Sequence, residues 1–215
     1  MTTTISRPHF IVLEGLDGSG KSTHSAMLAS RLRDLNIPYF HAHQPSSNPV
    51  GQQARSATKG GFPLENEAIA LLFAADRYQH YHEKIAPELD KGNYVVCDRY
   101  YYSNLAYQGV DSAAMERIIA YNQAVMTAPA KRPDIVFFLD VPPEECMRRI
   151  TSTRGDISIY ETLPRLTQMR ERFFAAFERL KETDNIIIID ASNDSHETVA
   201  AKIWEHLKID EKISE

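Results

Sequence analysis

The chain has 215 residues, 43% of them hydrophobic and 25% charged, with a formal net charge of −5. That length suits one domain with a sizeable core, and the acidic balance argues against nucleic acid or an anionic membrane as the main partner. Residues 1–7 carry no apolar signal segment, no apolar run approaches a membrane span, and the two cysteines, Cys97 and Cys146, make no disulfide framework, so a reduced, cytoplasmic setting is expected.

In chain order, the first element is an apolar run at residues 10–13, read as a strand. It leads into Gly15-Leu16-Asp17-Gly18-Ser19-Gly20-Lys21-Ser22, which fits the phosphate-loop pattern G-x-x-x-x-G-K-[ST] at each fixed position. Thr23 and a helix-compatible segment over about 21–33 follow. The glycines let successive N–H groups point inward, and the helix N-terminus adds partial positive charge. Lys21 supplies a cation for the outer phosphates, and the Ser22 hydroxyl suits Mg²⁺.

A second strand is expected at 39–43. The segment 44–61, rich in Pro, Ser, Asn and Gly, reads as a functional loop, and a long helix over about 64–89 follows. On that helix Phe73 and Arg77 lie four apart, on one face. Such a pair can stack on and hydrogen-bond a nucleobase; equally it can be core packing beside a solvated arginine.

The third strand, 94–97, ends in Asp98-Arg99-Tyr100. A carboxylate there lies at the carboxyl edge of the sheet and can hold Mg²⁺, and Arg99 offers a two-point fork for phosphate. Asn104 and Gln108, four apart, can read a base edge or be helix-surface amides.

Helices are expected over about 111–126, 143–150, 159–181 and 195–207, and strands at 135–139 and 186–189. Asp140 and Asp190 read as cap or turn residues, and Trp204 as core. Short, almost wholly apolar strands alternating with helices predict a doubly wound α/β domain with a five-stranded parallel sheet flanked by helices, of the P-loop NTPase type.

Residues 15–23, 73–77, 98–100 and 106–109 stand in the order and spacing of the thymidylate kinases, which the chain resembles from residue 10 to the last helix. The resemblance implies transfer of the ATP γ-phosphoryl to dTMP with Mg²⁺, in a homodimer without nucleic-acid or membrane partners. It implies that Phe73 stacks on thymine, that Arg77, Asn104 and Gln108 contact the base, and that Tyr107 crowds the sugar 2′ position. It aligns Arg55 with an arginine that reaches the substrate. It sets Asp98 and Arg99 at the acceptor phosphate and Asp17 at the substrate sugar or its metal. The polar loop 151–158 falls where the family has its lid. The phosphate loop carries no arginine, so the catalytic cation is expected from the lid, with Arg154 first, then Arg149, and Arg148 beside them. One departure stands out. Where the family commonly has Arg-Glu-Pro and glycines, this chain has His43-Gln44-Pro45-Ser46-Ser47, which leaves the partner of Asp17 open. A kinase of another nucleoside or monophosphate, and a non-catalytic nucleotide-binding relative, remain alternatives. A guanine-reading switch protein is disfavoured because no Asn-Lys-x-Asp occurs.

Overall fold

The computed structural model describes residues 9–126, 132–153 and 161–209. Its centre is a parallel sheet of β1 (Phe10–Gly15), β2 (Tyr39–His43), β3 (Tyr94–Asp98), β4 (Ile135–Asp140) and β5 (Ile186–Asp190), in the order β2-β3-β1-β4-β5. β1 sits in the middle, paired with β3 (Val12 opposite Cys97) and with β4 (Val12 opposite Val136). Helices cover both faces, so residues of β1 and β4 pointing either way are buried, which explains their unbroken apolar sequence. The edge strands are less covered, and Ile188 of β5 is exposed. The expected five-stranded α/β architecture is therefore observed.

The helices are α1 (Lys21–Asp34), α2 (Pro49–Thr58), α3 (Asn66–His80), α4 (Ala86–Asp90), α5 (Tyr101–Gln108), α6 (Ser112–Met126), α7 (Pro143–Thr153), α8 (Leu163–Leu180) and α9 (His196–Leu207). Several differ from the sequence reading. The expected loop 44–61 contains α2. The Pro and Asn that suggested a loop instead start a helix: Asn48 accepts from the Gly51 N–H at 2.8 Å, and Pro49 opens the first turn. The expected helix 64–89 divides into α3, a π-helical turn at Tyr81–Ile85, and α4. Pro87 lacks the N–H that a continuous α ladder needs there. Helix α5 was not expected as a separate element, because nothing local marks its start; its cap comes from β1, as described below. The helix expected at 159–181 is seen as α8 from Leu163, and 159–160 lie outside the described residues.

Phe138 of β4 is fully buried and packs on Phe173, Phe174 and Phe177 of α8, with ring centroids 4.9, 5.7 and 4.9 Å away. This cluster clamps α8 to the sheet. Trp204 is core as expected, with the Arg31 guanidinium 4.1 Å over its ring. Asp140 differs from its turn reading: it makes a two-point ion pair with Arg170 of α8, both contacts at 2.7 Å. Asp190 does form a turn, accepting from the Ser192 N–H. Removing the Phe138 ring leaves a cavity that rigid neighbours cannot fill. Phe138→Ala is expected to lower unfolding free energy by about 3–5 kcal/mol, read from the shift of a urea denaturation midpoint at constant m.

Candidate active site

The loop between β1 and α1 curls at two glycines with left-handed backbone, Gly18 (φ +82°) and Gly20 (φ +90°). A Cβ on Gly18 would fall 2.5 Å from the Cys146 carbonyl, so α7 presses directly against the loop and only glycine fits. Gly20 is the N-cap of α1 and has no side chain to satisfy the first-turn N–H groups, which leaves them for an anion. Ser22 and Thr23 are exposed at this mouth.

Asp17 is the hub of the charged groups. It pairs with Arg99, lies 3.4 Å from Lys21 Nζ, and accepts from the Tyr107 hydroxyl at 2.7 Å. Burial works to raise its pKa, but the charges of Arg99 and then Lys21 outweigh it and hold the carboxyl well below its ordinary range. Lys21 also donates to the Leu16 carbonyl at 3.0 Å. Its own pKa is lowered by burial and by Arg99, against the pull of Asp17, Asp98 and Glu14. The question left by His43 is answered by Arg99, which takes Asp17. His43 Nδ1 instead lies 3.0 Å from the Pro45 carbonyl, which also accepts from Arg55 at 2.7 Å.

Arg99 is aimed by a residue the sequence reading passed over. Glu14, at the end of β1, is fully buried and accepts from the Tyr100 N–H at 2.7 Å, the Ser103 N–H at 3.1 Å and the Ser103 hydroxyl at 2.6 Å. These groups form the start of α5, so Glu14 caps that helix from another element. Arg99 just before it takes a left-handed conformation (φ +68°) and reaches both Ser103, at 3.0 Å, and Asp17. Burial raises the Glu14 pKa, against the bonds it accepts. The sequence signal was there: Glu14 is the charged residue of an otherwise apolar strand.

Ser22 Oγ donates to Asp98 Oδ2, which brings together the two residues expected to hold Mg²⁺. Asp98 Oδ1 is buried and has no hydrogen-bond partner among the described residues.

A second group is fully buried behind Tyr100. Arg77 donates to Asn122 Oδ1 and, at 3.4 Å, to the Phe73 carbonyl, with its guanidinium 5.1 Å from the Tyr100 ring centre. Asn104 donates to Gln108 Oε1 at 3.1 Å. Arg77, Asn104 and Gln108 thus lie in one linked group, joined through Asn122, which sequence reasoning missed. Its signal is a polar residue on the buried face of α6, between Ile118 and Met126. Phe73 is half-buried one turn before Arg77. Arg55 is exposed, and its side chain donates to the Pro45 carbonyl.

The lid arginines are less gathered. Arg154 lies outside the described residues, as do 155–158 of the lid, while residues 151–153 continue α7. Arg149 donates to Glu145 at 2.7 Å and to the Ala191 and Ser192 carbonyls at 3.3 and 2.9 Å. Arg148 makes a two-point pair with Glu145 at 2.7 and 2.8 Å on the surface. The hydrogen bonds of these two arginines draw the Glu145 pKa down to about 2.

A family model described as thymidylate kinase matches residues 13–203, which is most of the chain. The chain belongs to the thymidylate kinase family. Relatives within that family include a probable thymidylate kinase of Methanocaldococcus jannaschii, 37% identical over 93% of this chain and 95% of the relative. A probable thymidylate kinase of Pyrococcus abyssi is 34% identical over 94% and 98%, and a thymidylate kinase of Carboxydothermus hydrogenoformans is 34% identical over 89% and 93%. Among the described residues no helix is long and apolar enough to cross a membrane.

The same region carries a pH dependence. His24 lies beneath the phosphate loop with Nδ1 2.8 Å from the Gly20 carbonyl, and His80 is buried at the end of α3. Burial lowers the pKa of both below 6.5. The unfolded chain therefore takes up protons that the folded one refuses, and stability is lost as pH falls below 6.5 toward the lowered folded values. The slope is at most about 1.4 kcal/mol per pH unit for each group. Asp184, raised by burial to about 7, and Glu14, also raised by burial, act in the opposite sense. The His80 contribution is therefore read as a difference: as pH falls from 7.5 to 5, the urea midpoint of His80→Phe is expected to rise relative to that of the wild type.

Proposed function

We propose that the chain transfers the γ-phosphoryl group of Mg-ATP to the 5′-phosphate of dTMP, giving ADP and dTDP, a step toward dTTP. The observation that carries the reading is the pairing of two neighbouring groups. One is a phosphate loop whose Asp17 is the shared acidic hub of Lys21 and of Arg99 from the end of β3; the other is a buried Arg77–Asn104–Gln108 set suited to a base edge.

The acceptor is already a phosphate oxygen, so little base catalysis is required, and positioning with charge neutralisation lowers the barrier. The loop from Gly15 to Thr23 cradles the donor phosphates, with Lys21 on the outer ones. Arg99 turns from Asp17 toward the acceptor phosphate, and Asp17 stays close to the sugar or its metal. Tyr107, held by Asp17, narrows the space at the sugar 2′ position. Phe73 offers its ring to the base, and Arg55 of α2 reaches in from the far side of the substrate.

Mg²⁺ fits the residues present: a hydroxyl and a carboxylate meet at Ser22 and Asp98, and Asp98 Oδ1 is buried without a hydrogen-bond partner among the described residues. Bound there, Mg²⁺ would neutralise charge on the phosphates. The lid cation is assigned to Arg154, with Arg149 as the alternative; Arg149 would have to leave the Ala191 and Ser192 carbonyls to act. The assembly is assigned as a homodimer.

Lys21→Ala is expected to cut kcat at least about a hundredfold while the far-ultraviolet spectrum and melting behaviour stay native-like. Near-normal turnover in the folded variant would remove Lys21 from the chemistry. Arg154→Ala is expected to reduce kcat more than it raises KM for dTMP. An unchanged kcat moves the role to Arg149, tested by Arg149→Ala.

A further inference from the structure

Asn122 of α6 is fully buried, and its partners fix which way its amide faces. On one side stands the Ile118 carbonyl, which can only accept, 2.8 Å away; on the other stands Arg77, which can only donate. Nitrogen must therefore face Ile118 and oxygen must face Arg77. The same Nδ2 also faces Asn104 at 3.4 Å, so Asn104 must turn its oxygen toward Asn122. Asn104 then has its nitrogen directed at Gln108, 3.1 Å away, and Gln108 must answer with its oxygen. Each amide is oriented by the one before it, and the sequence starts at Asn122.

The ends of this chain are informative. Arg77 Nε and Gln108 Nε2 are both buried N–H donors without a hydrogen-bond partner among the described residues, on side chains 1% exposed. Between them Asn104 Oδ1 keeps one lone pair beyond its long contact with Asn122. The order along the chain is donor, acceptor, donor. A thymine or uracil edge reads acceptor (O4), donor (N3–H), acceptor (O2), which is complementary. A cytosine edge reads donor, acceptor, acceptor, which sets like against like at two of three positions.

We infer that Asn122 is a specificity-determining positioning residue: its hydrogen-bond polarity, passed through Arg77, Asn104 and Gln108, tunes the pocket to 4-oxopyrimidine nucleotides and against 4-aminopyrimidine ones. The inference rests on the proposal that this pocket takes a pyrimidine monophosphate.

The test is Asn122→Asp. An aspartate keeps the shape and an acceptor for Arg77 but offers both the Ile118 carbonyl and Asn104 only acceptors. Asn104 then presents nitrogen to residue 122 and oxygen to Gln108, and Gln108 is left with an outward acceptor. The readout is kcat/KM for dTMP against 5-methyl-dCMP, which matches it in size and differs at the edge. The ratio is expected to fall at least about tenfold in Asn122→Asp, through KM for dTMP, with kcat at saturating dTMP within about threefold of wild type. Asn122→Ala, which removes the orienting group, is expected to lower the ratio too. If both folded variants keep the wild-type ratio, or lose activity on both nucleotides in proportion, Asn122 has only a structural role and the inference is overturned. If Asn122→Asp fails to fold, the ratio in Asn122→Ala decides. A wild-type protein with no preference for dTMP would instead overturn the proposed function, a failure distinguishable because it appears before any substitution is made.

Discussion

The site depends on a carboxylate buried where an apolar strand ends. Glu14 closes β1, and its two oxygens take three hydrogen bonds from the first turn of α5. A buried carboxylate without such donors would be strongly disfavoured, and a helix start without a cap would leave its N–H groups unsatisfied. Each group resolves the other's deficit. The result locks β1, the strand before the phosphate loop, to the residues that follow β3. It also holds Arg99 in a left-handed conformation that costs an ordinary residue about 1 kcal/mol or more, with its N–H bonded to the Leu13 carbonyl at 2.9 Å. Without this constraint the Arg99 guanidinium would have no reason to point back toward Asp17.

The same turn connects the charged hub at the phosphate loop to the buried amide group. Tyr100, whose N–H is held by Glu14, carries its ring under the Arg77 guanidinium, and Asn104 and Gln108 follow on the same short helix. Arg77 from α3 and Asn122 from α6 complete this group from neighbouring helices. A helix of eight residues thus fixes the spacing between the Asp17–Lys21–Arg99 group and the Arg77–Asn104–Gln108 group. A rigid spacer of this kind is what phosphoryl transfer requires, since small displacements of the reacting groups are costly.

The fold was legible in the sequence because its signals are local. Continuous apolar runs announce strands buried on both faces, and a glycine loop between strand and helix announces itself. Asp17, Lys21, Ser22, Asp98 and Arg99 could be singled out for the same reason, and the structure sets them side by side. What escaped was non-local or ambiguous. Asn48 and Pro49 are as good at starting a helix as at making a turn, and only packing against α3 decides for α2. The cap of α5 comes from a residue 86 positions before Tyr100 in the chain, so no window around residues 101–108 contains it. Asn122 sits at a helical position where an apolar residue would also fit, and its meaning exists only once Arg77 and Asn104 are beside it. The departure at His43 is the reverse case. It suggested a loss at Asp17, because sequence cannot show that Arg99, 82 residues away from Asp17, takes the place.

That replacement also explains how two cations are kept ready in a buried site. Lys21 is 5% exposed and Arg99 is half-buried, and burial alone would lower the pKa of each. Tyr107 and then Asp17, with Asp98 and Glu14, outweigh this for Arg99, which ends above its ordinary value; for Lys21 the same carboxylates only limit the fall. Asp17 is itself stabilised as an anion and offers a partner of the same charge sign as the phosphates the site is built to receive. A phosphate entering beside the hub therefore exchanges one anionic partner for another, and neither cation has to be stripped of water at that moment. Most of the desolvation has been met during folding, by the packing of β1, β3 and α5 around the hub. Preorganisation of this kind is what makes a charge-neutralising site effective without acid–base chemistry. It also places the demand for stability where the core is densest, at the centre of the sheet.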